Sequence, residues 1–205
     1  MVRLGLWEMV LEEWVRCGDY NFAVTSFSCA ADSTSGGSPA SAYSIRIGPW
    51  NDCKPAARAV RMAVFVVEQN IPVEIEWDEW DETSLHAVAF DADSAPIGTG
   101  RLLPSHFDST APATGHIGRM AVLVSARRFG VGGAILQALM QAAPAQGFTT
   151  IVLHAQSYVA PFYARHGYVI EGEEFTEAGI LHRTMRAPLT PARRVDPADP
   201  AGSSA

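Results

Sequence analysis

Arg127-Arg128-Phe129-Gly130-Val131-Gly132-Gly133 separates an apolar run, Met120 to Val124, from a helical pattern that begins at Gly130. At a strand-to-helix turn the first backbone N–H groups of the helix have no internal partner, and with the helix dipole they form an anion site. Glycine lets a ligand come close to that backbone. Arg127 adds a guanidinium, which suits phosphate oxygens better than an ammonium does. The turn is not a Walker loop, which would end in Gly-Lys-Ser/Thr. Nor is it a Rossmann turn, which needs Gly-x-Gly-x-x-Gly after the first strand of a βαβ unit.

With 48% hydrophobic and 18% charged residues, the 205-residue chain suits one ordinary domain with a sizeable core. No apolar run of about 18 residues occurs, and Glu8, Glu12 and Glu13 stand where a signal peptide would need a basic, then apolar, start. The expectation is a cytoplasmic protein with no membrane partner. Cys17, Cys29 and Cys53 are odd in number and lack metal-ligand spacing, so reduced thiols and no metal site are expected. A net charge of −7 argues against a sequence-independent grip on nucleic acid. No Lys or Arg lies between Arg61 and Arg101, a stretch holding Glu68, Glu74, Glu76, Asp78, Glu79, Asp81, Glu82, Asp91 and Asp93. One half of the molecule is therefore acidic.

Residues 1–42 read as an extension: a short amphipathic stretch from Leu4 to Val15, then a Ser/Gly-rich linker around 30–39. Residues 43–187 read as the domain, and 188–205 as a disordered Pro/Ala-rich tail. Within the domain, Tyr43 to Ile47 alternates as a strand. A helix opened by Asp52 and Pro55 runs to about Gln69, with Ala56, Val60, Ala63, Val64 and Val67 as its apolar stripe. Leu85–Phe90 and Ile97–Leu103 form a pair of strands, and 117–124 forms the strand before the phosphate turn. The following helix buries Val131, Ile135, Leu139 and Ala142 and stops near Gly147. A strand at 150–155, a helix from about Ser157 to His166, and strands at 168–175 and 180–185 complete an α/β pattern with a mixed sheet.

Arg-x-x-Gly-x-Gly after a strand, in this element order, resembles the GNAT superfamily of N-acetyltransferases over roughly residues 43–186. Val64-Phe65-Val66-Val67-Glu68-Gln69 and Ile117-Gly118-Arg119-Met120-Ala121-Val122 are similar to the ElaA-like branch. The resemblance implies the acyl-CoA N-acyltransferase fold, a mixed central sheet flanked by helices and splayed between its fourth and fifth strands. It also implies acetyl-CoA as co-substrate and a small-molecule or peptide amine as acceptor, and it admits a homodimer.

Several residue roles follow from the resemblance. Val122, Leu123 and Val124 would pair with the pantetheine amides as an added strand. The backbone from Arg128 through Phe129, Gly130, Val131 and Gly132 to Gly133 would take the diphosphate, although Arg128 occupies a position often held by Gly in the family. Tyr163, in Tyr163-Ala164-Arg165-His166-Gly167-Tyr168, matches the tyrosine that protonates the departing thiolate; its plain alternative is a packed helix residue. Gln156 would hydrogen-bond coenzyme A or cap the next helix. Glu68 is the first choice of base for the acceptor, with His86 and Asp81 behind it. Asp78 and Asp81, between Trp77 and Trp80, would attract a cationic amine by charge and ring face, or else simply face water.

Three functions are compatible with these residues. The first is direct transfer of acetyl from acetyl-CoA to a primary amine, without an acyl-Cys53 intermediate. The second is acylation in the manner of acyl-homoserine-lactone synthases, which Arg61, Phe65, Trp77, Asp78, Asp81 and Arg101-Leu102-Leu103-Pro104 also resemble. The third is a non-enzymatic module that binds coenzyme A.

Overall fold

The computed structural model describes residues 10–17, 20–28, 43–111 and 113–189. Strands β1 (Val10–Cys17), β2 (Tyr20–Ser28), β3 (Ser44–Pro49), β4 (Leu85–Phe90), β5 (Pro96–Leu102), β6 (Thr114–Val122), β7 (Thr150–Gln156), β8 (Val169–Glu177) and β9 (Ile180–Pro188) make one sheet. Its order is β1-β2-β3-β4-β5-β6-β7-β9-β8. Neighbours run antiparallel except β6 and β7, which are parallel and joined across α3 (Val131–Ala142). That one parallel pair is short. Only Thr114, Gly115 and His116 pair with Thr150, Ile151 and Val152; beyond them the strands part, leaving a wedge open to its mouth at Val122 and Gln156. The expected splay between the domain's fourth and fifth strands is this wedge.

The two faces of the sheet carry different helices because side chains alternate along each strand. Ala87 and Ala89 of β4 face α3, whose Val131, Ile135, Leu136 and Leu139 are fully buried, each contributing about 1.5–3 kcal/mol. Val88 faces the other way, against Trp50, Cys53 and Ala57 of α1 (Trp50–Arg61). α1 then widens into a π-helical segment, Met62–Glu68, in which the N–H of Gln69 reaches the carbonyl of Val64. This rewinding corrects the expected stripe. Val60 and Val64 are buried against Ala121, but Val67 is 71% exposed, because i→i+5 winding carries it off the α-helical face. A short α2 (Val73–Glu76) follows where the sequence pattern leaves a gap. The stop at Gly147 is seen as a left-handed residue at φ 85°, and α4 (Ala160–Ala164) is shorter than its expected span because a tighter turn, Ser157–Val159, precedes it.

Residues 1–42 are more than an extension where they are described. β1 pairs with β2, and β2 continues onto β3 through Phe27–Ile45 and Ser28–Ser44, so a hairpin lengthens the sheet edge. The β-branched and aromatic content of Val10–Cys17 and Tyr20–Ser28 favours strand over the amphipathic helix that period alone suggests. The linker around 30–39 and the tail from 190 lie outside the described residues. Among the described residues no helix is long and apolar enough to cross a membrane.

Candidate active site

The wedge is shaped by an irregularity in β6. Its pairing with β5 runs Thr99–Ala121 and then Arg101–Gly118, so one extra residue is accommodated, and Arg119 takes a left-handed φ of 52°. Past the bulge the N–H of Leu123 is donated to the carbonyl of Ile97 on β5 at 2.9 Å. Because backbone groups alternate in an antiparallel pair, Leu123 is committed to the sheet while Val122 turns its N–H and carbonyl into the wedge. This refines the expected pantetheine strand. Val122 faces the wedge, Leu123 pairs with β5, and at Val124 the chain leaves the strand for a 3₁₀ turn, Val124–Ala126.

The phosphate turn follows. Arg128 at φ 72° and Gly130 at φ 82° both adopt the left-handed conformation, which explains why glycine is common at the position of Arg128. The first bond internal to α3 is Ala134 N–H to Gly130 C=O, and no side chain caps the helix, so the amides of Val131, Gly132 and Gly133 emerge without helical partners. Their approach is tight. A Cβ on Gly133 would lie 2.9 Å from His166 Nε2, and one on Gly132 would touch Val122 and Phe162. Thus the end of β6, the mouth of α3 and α4 meet at one place.

Two adjacent side chains from the end of the π-helical segment reach across the mouth of the wedge. Glu68 grips Arg127 with both oxygens, at 2.8 and 2.6 Å, while Arg127 Nε donates to the Val122 carbonyl at 3.0 Å. The hydrogen-bonded guanidinium of Arg127 holds the Glu68 carboxyl below its ordinary range. Gln69 forms a reciprocal amide pair with Gln156, at 3.1 and 3.4 Å, and the Tyr158 hydroxyl donates to the same Gln156 oxygen at 2.7 Å. Gln156 does not cap the turn after it. Tyr163 lies on α4, 7% exposed, edge-on to Phe162 and Tyr168, and burial pushes its phenol well above the ordinary tyrosine value. It therefore stays protonated at neutral pH.

The acidic stretch is occupied otherwise than its charge suggests. Asp81, 3% exposed, receives Arg61 and Arg101, each at 2.7 Å; Arg61 also binds Glu76, and Asp78 binds Arg101 and Arg119. Burial opposes the charge of Asp78, but the guanidiniums of Arg101 and Arg119 outweigh it and keep the carboxyl below its usual range. His86 is 1% exposed, with Nε2 on the Asp81 carbonyl at 2.9 Å and its ring 4.7 Å from Trp50; burial pushes it down to about 4. Asp81 and His86 are thus corrected from acceptor-binding candidates to buried members of this cluster, Asp81 as the shared partner of two guanidiniums because desolvated carboxylates must be paired, and His86 as a neutral ring on the Asp81 carbonyl; Asp78, half-buried, balances Arg101 and Arg119 at the rim. The partners of these carboxylates are Arg61 and Arg101, which bracket the stretch without cations, and Arg119 from β6. Cys53 is 1% exposed, and burial lifts its thiol to about 11, which suppresses thiolate chemistry.

The model of the acetyltransferase (GNAT) domain matches residues 53–189. The uncharacterized N-acetyltransferase YjcF of Bacillus subtilis (strain 168) is 42% identical over 127 residues, covering 62% of this chain and 86% of that protein. Among solved structures, Escherichia coli ElaA superposes with a TM-score of 0.62 at 25% identity, covering 71% of this chain and 99% of ElaA. An acyl-CoA N-acyltransferase from Pseudomonas aeruginosa superposes with a TM-score of 0.61 at 28% identity, covering 71% and 99% of the two chains. The family match spans well over half of the sequence and includes the wedge, the phosphate turn and α4: the chain belongs to the GNAT family of acetyltransferases.

Proposed function

We propose that this protein moves the acetyl group of acetyl-CoA to a primary amine by direct attack in a ternary complex. The observation that carries the reading is the uncapped mouth of α3 opening beside a splayed strand pair. The amides of Val131, Gly132 and Gly133, with those from Arg128 to Gly130 before them, take the diphosphate. The wedge-facing N–H of Val122 pairs with the pantetheine arm and holds the thioester between β6 and β7. The amine nitrogen forms the new C–N bond and the C–S bond breaks. Tyr163, still protonated, gives its proton to the departing thiolate and regains one from water. The proton shed by the amine leaves to solvent.

Glu68 has a different part from the base first considered for it. A carboxylate held ionised by a bidentate guanidinium is a poor proton acceptor, and its geometry fits orienting Arg127 instead. With Nε on Val122 and two further N–H groups on Glu68, Arg127 keeps two N–H donors for a phosphate oxygen. Calorimetry with acetyl-CoA, followed by turnover of Tyr163→Phe, tests the proposal. Affinity is expected to stay and kcat to fall about 100-fold. No heat with the unaltered protein, or full turnover in the variant, overturns it.

A further inference from the structure

On the α1 side of the sheet, beside the wedge, lies a strip of rings. On one bank Phe107 sits edge-on to Trp80 and to His116, each at 5.1 Å. On the other, Phe175 sits edge-on to His154 at 5.0 Å and stacks with His182 at 5.9 Å. Strand register puts both banks on one face: His116 pairs with Val152, His154 follows two residues along β7, and Gln156 pairs with His182, which pairs with Phe175. The strip therefore runs from the point where β6 and β7 part to the Gln69–Gln156 clasp. It is open, with Phe107 38% exposed and the His154 side chain 51% exposed.

We propose that this strip seats the acceptor, and that the acceptor is a primary amine attached to an aromatic ring. The inference rests on the acyl-transfer reading above. Rings packed edge-on and offset at these spacings offer a further ring the same favourable geometry. Two carboxylates border the strip, Glu177 at 3.5 Å from His154 and Asp108 at 3.7 Å from His116, and their charge complements an ammonium. The direction of approach also fits. The diphosphate is taken at the mouth of α3 on one face, and the ring amine comes over the opposite face, so nitrogen and thioester meet in the wedge.

The test is acetyl transfer to 2-phenylethylamine, butylamine, spermidine and a peptide with a free amino terminus, read by thiol release. The expected result is a kcat/KM for 2-phenylethylamine at least about tenfold above butylamine, falling about tenfold through KM in Phe175→Ala and Phe107→Ala with acetyl-CoA affinity unchanged. Should an alanine variant fail to fold, as shown by lost acetyl-CoA binding, Phe175→Leu and Phe107→Leu keep the apolar volume and remove the ring. Equal use of butylamine, preference for spermidine or peptide, or indifference to both ring substitutions overturns the proposal. Calorimetry of 2-phenylethylamine with the coenzyme A complex separates the two readings. Binding without turnover of any amine refutes acyl transfer alone, and absence of binding refutes the ring seat.

Discussion

Asp81→Asn keeps the shape of a side chain that joins two buried guanidiniums and removes its charge. One carboxylate oxygen of Asp81 holds both Arg61 and Arg101 at 2.7 Å, with side-chain exposures of 4%, 1% and 5% for the three residues. At such burial the loss of one partner is governed by the charge left behind, and breaking a buried pair costs about 3–5 kcal/mol. Glu76 still faces Arg61 and Asp78 still faces Arg101, which places the cost toward the lower end. In a chain of this size about 1 kcal/mol moves the melting temperature by roughly 2–4 °C, so a fall of roughly 6–12 °C is expected. Thermal and urea unfolding measure it. A double variant, Asp81→Asn with Arg61→Met, should lose less than the sum of the two single changes, because the stranded cation is gone. An unchanged melting temperature together with a raised acceptor KM would refute the structural assignment and return Asp81 to the acceptor site.

Glu68→Gln should raise the KM for acetyl-CoA about three- to tenfold, since Arg127 regains rotameric freedom, and should leave kcat within about twofold; a collapse of kcat with loss of the acidic limb of the pH profile would instead make Glu68 the base. His86 has its folded pKa depressed from 6.5 to about 4, so below pH 6.5 the unfolded chain binds a proton that the native protein refuses. Stability due to this residue is present above pH 6.5 and is lost as pH falls toward 4, by up to about 3 kcal/mol. Denaturant titrations at pH 7 and 5, compared with His86→Gln, check it; parallel pH dependence in the two proteins contradicts the assignment.

Much of the frame was legible along the chain because its cues are local. Glycine after an apolar strand marked the mouth of α3, Gly147 marked the end of the helical run before β7, and alternation marked β3. What local pattern missed has a common cause. The π-helical rewinding of Met62–Glu68 changes no residue type, yet it turns Val67 outward and aims Glu68 and Gln69 at partners 59 and 87 residues away. The β1–β2 hairpin likewise depends on an available edge at β3, which no property of residues 10–28 announces.

Sequence alone therefore determined the family, placed a glycine-rich turn at the mouth of α3 and singled out Tyr163, four residues before Gly167, since each rests on residues close together in the chain. The fate of the acidic stretch was decided only in three dimensions. Whether a carboxylate attracts a ligand or balances a neighbour depends on which cation folding brings within about 3 Å of it. Arg61, Arg101 and Arg119 reach Glu76, Asp78 and Asp81 only after α1, β5 and β6 have assembled. By the same assembly, rings scattered from Trp80 to His182 became neighbours on one open face.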